Sequence, residues 1–262
     1  MQKIILGLTG TVMALALLGG GYAAGRVHAF STGEPAPVVA QVDNRAQTES
    51  IIRDYLLSNP EILVEVQTAL NARDQEAQQK QQADVLKSEK AAIYQSANDA
   101  IIGNPKATKT VVEFFDYNCG YCKHALADMQ AMVQDDPDLR FVMKEFPILG
   151  PDSQQAHMVA AAFKRVAPEK YAEFHMRLLG GSGRAGEASA LRVASSMGVE
   201  EATLREAMKD PAIIEEFTRT FELANKLSIS GTPAYVIGNE VVSGAIGADA
   251  LKSKVEAATA IN

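Results

Sequence analysis

An α/β fold is predicted by two groups of strand-forming residues, each followed by a helical pattern, and by a long stretch of helical periodicity ahead of them. Thr110 to Phe115, TVVEFF, is rich in β-branched and aromatic residues and reads as a buried strand. Asp116-Tyr117-Asn118 then makes a turn, and Lys123-His124-Ala125-Leu126 begins a helix. Ala234–Ile237 and Val241–Ser243 read as two further strands, with a helix following from Ala248. Upstream, Ile51, Ile52, Tyr55 and Leu56, then Ile62, Leu63, Val66 and Leu70, form two apolar faces at helical spacing. Between these faces Asn59-Pro60 supplies a cap and a first-turn proline for the second helix. Residues 71–90 are polar nearly all round and read as a solvated connecting helix or as a flexible linker. An apolar face of that size has too little chain around it for a private core, so it packs against other copies or back onto its own globular domain.

Composition sets the setting. With 47% hydrophobic and 22% charged residues the chain can bury a sizeable core. A net charge of -7 and the lack of any long basic run exclude nucleic acid as a partner. Residues 1–29 read as an export segment: Lys3 is the positive start, Ile4 to Leu18 an apolar run, and Val27-His28-Ala29 has small residues at cleavage spacing. The apolar character continues to Ala24, about the ~20 residues that a membrane-spanning helix needs, so a cleaved signal and an uncleaved anchor are both readable. Either way the bulk of the protein faces an oxidising compartment, where disulfides persist. Residues 30–44, with Pro35 and Pro37 and no period, are a linker.

Both cysteines of the chain, Cys119 and Cys122, lie three residues apart where strand becomes helix. A structural staple at that spacing would close almost no loop. A zinc site needs four ligands, and only His28, His124, His157 and His175 could add to the pair, so no metal is expected; a copper- or zinc-sequestering dithiol is the alternative of another class. Redox chemistry suits the spacing. With Asn118 as N-cap, Cys119 falls in the first helical turn, where unsatisfied N–H groups and the positive helix end favour thiolate. A helix terminus contributing up to ~2 kcal/mol lowers a cysteine pKa by roughly 1.5 units from ~8.5. Cys119 is then the exposed attacking sulfur, and Cys122, one turn inward, resolves the mixed disulfide. Gly120-Tyr121 between them brings no cation, which predicts a mild oxidant. His124 reads as a helix-surface residue, and His157 and His175 as structural.

VVEFFDYNCGYCKHALADM resembles the active-site segment of the thioredoxin-fold disulfide oxidoreductases related to DsbA, in their ScsC-like (suppressor of copper sensitivity) and Com1-like branch. GTPAYVIGN, Gly231 to Asn239, is similar to that family's cis-proline loop and following strand. KEFPILGPDS, Lys144 to Ser153, is similar to the strand end leading into its inserted helical domain, and IIRDYLLSNPEILVEV, Ile51 to Val66, to the N-terminal helical segment of the ScsC-like branch. The resemblance implies a catalytic domain over residues 99–262 with a thioredoxin-like sheet and a helical insertion at about 150–226. It implies a helical oligomerisation arm and connecting helix over 45–98.

For the site, the resemblance implies a cis Thr232-Pro233 bond beside the cysteines. Thr232, Gly120 and Tyr121 would then meet an extended segment of substrate, and Glu113 would be a buried acid that passes protons to the thiols. The strand pattern alone reads Glu113 equally well as an exposed residue. No cofactor is implied. The implied partners are exported cysteine-containing proteins, a membrane redox partner in the periplasm, and further copies of the chain, for which the branch suggests a trimer. Gly-Tyr together with a Thr before the proline also resembles isomerases of the DsbC type, which points to disulfide isomerisation or reduction, with dithiol oxidation as the alternative.

Overall fold

A computed structural model describes residues 44–96 and 99–259. The expected export segment, residues 1–29, and the linker through residue 43 lie outside the described residues. The described residues fall into two units that part between Pro60 and Glu61.

In the first unit, helix α1 spans Asn44–Ser58. Ile51, Ile52, Tyr55 and Leu57 are all more than half exposed on it. Asn59, expected to cap the following helix, closes α1 instead: its backbone N–H and its side-chain amide both donate to the Tyr55 carbonyl, at 2.9 and 2.8 Å. Pro60 disfavours a helical conformation at the preceding residue, and the carbonyls orphaned at the helix end need donors.

The second unit opens with α2, Glu61–Ser88. Residues 71–88 therefore continue as helix rather than as a flexible linker, with Leu63, Val64, Val66 and Leu70 exposed further up. Its last turns dock: Leu86 is buried, and the Gln82 amide donates to the Leu227 carbonyl at 3.0 Å. Helix α3, Lys90–Tyr94, follows with Ile93 fully buried and the Tyr94 hydroxyl donating to the Gly238 carbonyl.

The sheet has five strands, β1 Ala100–Gly103, β2 Lys109–Phe115, β3 Leu139–Glu145, β4 Ala234–Ile237 and β5 Glu240–Ser243, in the spatial order β1-β3-β2-β4-β5. β2 and β3 are parallel, joined through helix α4, Gly120–Asp135; the other pairs are antiparallel. Five α-helices and a short 3-10 turn, Pro168–Lys170, stand between β3 and β4: α5 Pro151–Val166, α6 Tyr171–Leu179, α7 Glu187–Ser196, α8 Glu201–Ala207 and α9 Ala212–Lys226. Helix α10, Ala248–Thr259, closes the described chain. This is a thioredoxin-like sheet with a helical insertion.

β2 is central and buried on both faces from Val111 to Phe115, apolar but for Glu113. Successive side chains alternate. Val111 and Phe115 enter the larger core with Leu126 and Met129 of α4, while Val112 and Phe114 meet Leu86, Ile93, Leu223 and Leu227 on the other side. The ends of α2 and α3 thus belong to the core of the sheet rather than to a detachable arm. Ile93→Ala should lower stability by about 2–5 kcal/mol, the usual cost of emptying a fully buried isoleucine site, and should show as a lower urea midpoint with an unchanged slope.

Candidate active site

The cysteines follow a turn, residues 116–118, whose polar side chains are all hydrogen-bonded within the protein. Where β2 ends, the fully buried carboxylate of Asp116 accepts from the Asn118 N–H at 2.8 Å, the Leu149 N–H at 2.9 Å and the Ser153 hydroxyl at 2.8 Å. Its carbonyl accepts from the Cys119 N–H at 3.0 Å. Asn118, expected as the N-cap, has another role. Its amide donates to Ser153 Oγ and to the Ala185 carbonyl, both at 2.9 Å, and its oxygen accepts from the Ala185 N–H at 2.7 Å. The side chain is consumed in tying the turn to the loop before α7. The N-cap of α4 is Cys119 itself, with extended backbone (φ -78°, ψ 117°) and its carbonyl taking the Lys123 N–H at 3.1 Å. Lys123 secures the same loop by donating to the carbonyls of Gly181 and Gly183.

Both cysteines are free thiols, and their environments pull their pKa values apart. Cys119 is lowered to about 5: the Cys122 thiol donates to it, and Thr232 and the N–H groups of Cys122 and Tyr121 add to this against the opposing effect of burial. Cys122, fully buried, is pushed up by that same hydrogen bond, by desolvation and by the charge of Glu113. One sulfur carries the charge and the other keeps the proton. Cys119, expected to be exposed, retains only 7% of its surface because it packs beneath the loop at Thr232, whose carbonyl lies 3.1 Å from its sulfur and accepts from the protonated form. Even so, Cys119 is the more accessible of the two. The Thr232-Pro233 bond is cis.

The remaining expected residues fall around this pair. Gly120 is exposed with open space at its Cα, and Tyr121 is 69% exposed, so both present surface beside Cys119. Of the two readings of Glu113, burial is the one observed: it is 1% exposed, opposite Tyr235 of β4, and neither carboxylate oxygen has a hydrogen-bond partner. Desolvation, with help from the charge of Cys119, raises its pKa from 4.5 to about 8. His124 is exposed on α4. His157 and His175, read from sequence as structural, are fully buried beside Phe115 and Tyr117 on the protein side of the turn, and both have polar partners there. Asp116, Ser153 and His157 are the residues that sequence reasoning missed. A buried-type polar residue at the end of an apolar strand was the available signal for Asp116; nothing local marked the other two. Among the described residues no group of three or more His, Cys, Asp or Glu side chains is placed to hold a metal ion.

A dithiol at a strand-to-helix junction facing a cis-proline loop is joined by a match of residues 110–256 to the DSBA-like thioredoxin domain. The chain belongs to this DSBA-like family. Residues 45–77 match the copper resistance protein ScsC N-terminal domain. Among solved structures, a thioredoxin-like oxidoreductase from Silicibacter pomeroyi is 37% identical with a TM-score of 0.62, covering 65% of this chain and 97% of its own. Proteus mirabilis ScsC in a transitional conformation is 30% identical with a TM-score of 0.63, covering 87% of this chain and all of its own. Curated relatives include Na(+)/H(+) antiporter NhaA 3 of Salinispora tropica, 27% identical over 164 residues; the chain spans about a quarter of the length of such relatives, and the match takes in 62% of this chain.

The buried acid of this DSBA-like site should be visible in stability. A pKa raised on folding means that stability is full below the unfolded value near 4.5 and is lost as pH rises toward about 8. Glu113→Gln keeps the shape without the charge. The reduced variant should therefore exceed the parent by roughly 1–3 kcal/mol near neutral pH, with the gap closing on acidification, as urea titrations at several pH values would read. A gap independent of pH would show that Glu113 is not the titrating group.

Proposed function

We propose that the chain catalyses thiol:disulfide interchange on exported proteins, chiefly as a disulfide isomerase or reductase. The observation that carries this reading is the split pair, a Cys119 sulfur lowered to about 5 beside the Thr232 loop with a protonated Cys122 behind it. In the first step the Cys119 thiolate attacks one sulfur of a substrate disulfide, forming the mixed disulfide and releasing the other substrate sulfur as a thiolate that takes a proton. In isomerisation a second substrate thiolate displaces Cys119, returning it unchanged. In reduction Cys122 loses its proton and attacks Cys119, releasing the substrate as a dithiol and leaving the enzyme disulfide. Glu113, whose charge already acts on Cys122, would take up that proton, its pKa of about 8 lying near the working range. The backbone of Thr232, with Gly120 and Tyr121 alongside, would pair with an extended substrate segment through main-chain hydrogen bonds.

The low Cys119 pKa stabilises the reduced form, the form that isomerisation requires at rest. A membrane redox partner would keep it reduced, and the N-terminal segment would deliver the protein to the periplasm, cleaved or held as an anchor. A second reading, dithiol oxidase, is favoured by the same sulfur, because a stabilised thiolate makes the disulfide a stronger oxidant. The apolar side chains left exposed on α1 and on the outer half of α2 support self-association through residues 45–80, and the ScsC-like resemblance suggests a trimer. Several catalytic domains around one misfolded substrate would raise the local concentration of contact that isomerisation uses.

Cys119→Ser should abolish interchange, whereas Cys122→Ser should accumulate mixed disulfides on non-reducing gels; equal trapping by both would reverse the assignment of roles. Deleting residues 31–80, which spares Leu86 and Ile93 in the sheet core, should give a monomer by light scattering that still reduces small disulfides but no longer rescues scrambled ribonuclease. Full rescue by the shortened protein would shift the reading to the oxidase.

A further inference from the structure

Behind the turn lies a set of buried polar groups that thiol interchange does not itself require. Ser153 and His157 are four residues apart on α5 and so share one face of that helix. Between them they touch all three residues that precede Cys119. The Ser153 hydroxyl donates to the Asp116 carboxylate and accepts from the Asn118 amide, and His157 Nε2 accepts the Tyr117 N–H at 3.3 Å. The ring of His157 is fully buried, with Tyr117 at 4.6 Å, Phe115 at 5.2 Å and Phe217 at 6.4 Å between centroids.

A backbone N–H can only donate, so Nε2 must present its lone pair. The proton of the neutral ring is therefore on Nδ1. Nδ1 lies against Glu145 Oε2, and the other oxygen of Glu145 accepts from the Tyr171 hydroxyl at 2.5 Å. Both oxygens of Glu145 are thus turned toward donors, the His157 ring on one and the Tyr171 hydroxyl on the other, so it is an acceptor here. The carboxylate thereby selects the one tautomer that can accept from Tyr117. Tyr117 is further held through its own hydroxyl, 3.4 Å from both Tyr171 Oη and His175 Nδ1. An unpaired Tyr117 N–H at this depth would cost the desolvation of a buried donor, and the peptide would turn to find another partner. Turning it would move the Cys119 sulfur relative to the Cys122 thiol, to Thr232 and to the Cys122 and Tyr121 N–H groups, which stabilise its anion.

We propose that His157, fixed as its Nδ1–H tautomer by Glu145, is a positioning residue for Cys119: it sets the attitude of the nucleophile through the Tyr117 peptide. The helical insertion thus tunes the reactivity of a cysteine that it does not touch through this side chain. The inference rests on Cys119 being the nucleophile of the proposed function, and thiolate titration reads that sulfur without any interchange substrate.

The test compares His157→Phe, which keeps a ring but loses the acceptor, with His157→Gln, which restores an acceptor. Thiolate absorbance and iodoacetamide alkylation at about pH 6 are followed beside thermal unfolding. His157→Phe should raise the Cys119 titration midpoint and slow alkylation roughly threefold to tenfold, with His157→Gln recovering a good part of the loss. If His157→Phe unfolds at a lower temperature yet titrates and alkylates like the parent, His157 is merely structural and the proposal fails. Should His157→Phe not fold, the side-chain nitrogen resonances of His157 in the unmodified protein decide: a protonated Nδ1 with a bare Nε2 coupled to the Tyr117 amide upholds the proposal. An Nε2–H tautomer or an imidazolium overturns it. Loss of the proposed function itself would read differently, as interchange surviving in Cys119→Ser.

Discussion

A thiolate can be held at low pKa by a neighbouring thiol and by backbone donors only if the backbone carrying it cannot rearrange, and here that rigidity is concentrated in Asp116, Tyr117 and Asn118. Each of the three is bound from outside the β2–α4 junction: Asp116 by Leu149 and Ser153, Tyr117 by His157, and Asn118 by Ser153 and Ala185. Hydrogen bonds of this kind contribute only about 0.5–1.5 kcal/mol each to net stability, but leaving any one of these buried groups unmade costs more than that. The turn is consequently over-determined. Its position decides where the Cys119 sulfur stands relative to α4 and to the Thr232 loop, and so the separation of the two sulfur pKa values follows from it.

The last two residues of β3 show how the sheet serves both sides. Lys144 and Glu145 point to opposite faces, and both are buried. On one face Lys144 donates to the Ala92 carbonyl and pairs with Asp99, fastening the chain around α3 to the strands. On the other, Glu145 pairs with His157 and Tyr171 and fastens the insertion to the turn. Buried charges are tolerable only when paired, so each of these adjacent residues commits a separate part of the chain to the sheet.

Much of this was legible in the sequence because it depends on local pattern. The run Thr110–Phe115 read as a buried strand, the Cys-x-x-Cys spacing placed two sulfurs on one helical turn, and the Gly231-Thr232-Pro233 loop was recognisable by resemblance. Capping was read less well. Asn118 and Asn59 both have the residue type of an N-cap, yet one is taken by Ser153 and Ala185 from the insertion and the other turns back to Tyr55. The partners that claimed Asn118 lie more than thirty residues away, and no local pattern announces them. The same holds for His157, whose meaning comes from a carboxylate twelve residues earlier on a different element. The burial of Glu113, left open by an all-apolar strand with one acid in it, was decided by α4 and α10 covering that face.

The divided protonation of the cysteine pair also sets how the site exchanges charge with its surroundings. Above about pH 5 the reduced pair holds one proton rather than two, so conversion to the disulfide gives up two electrons but a single proton. The driving force of the couple then changes by about 30 mV for each unit of pH, half the response of a pair of ordinary thiols. Glu113, whose pKa leans on the charge of Cys119, would lose part of its hold on a proton when that charge disappears. The compartment's acidity would therefore reach the redox balance of this site in a muted form, with part of the response restored near the Glu113 pKa by a carboxyl group that the solvent scarcely sees.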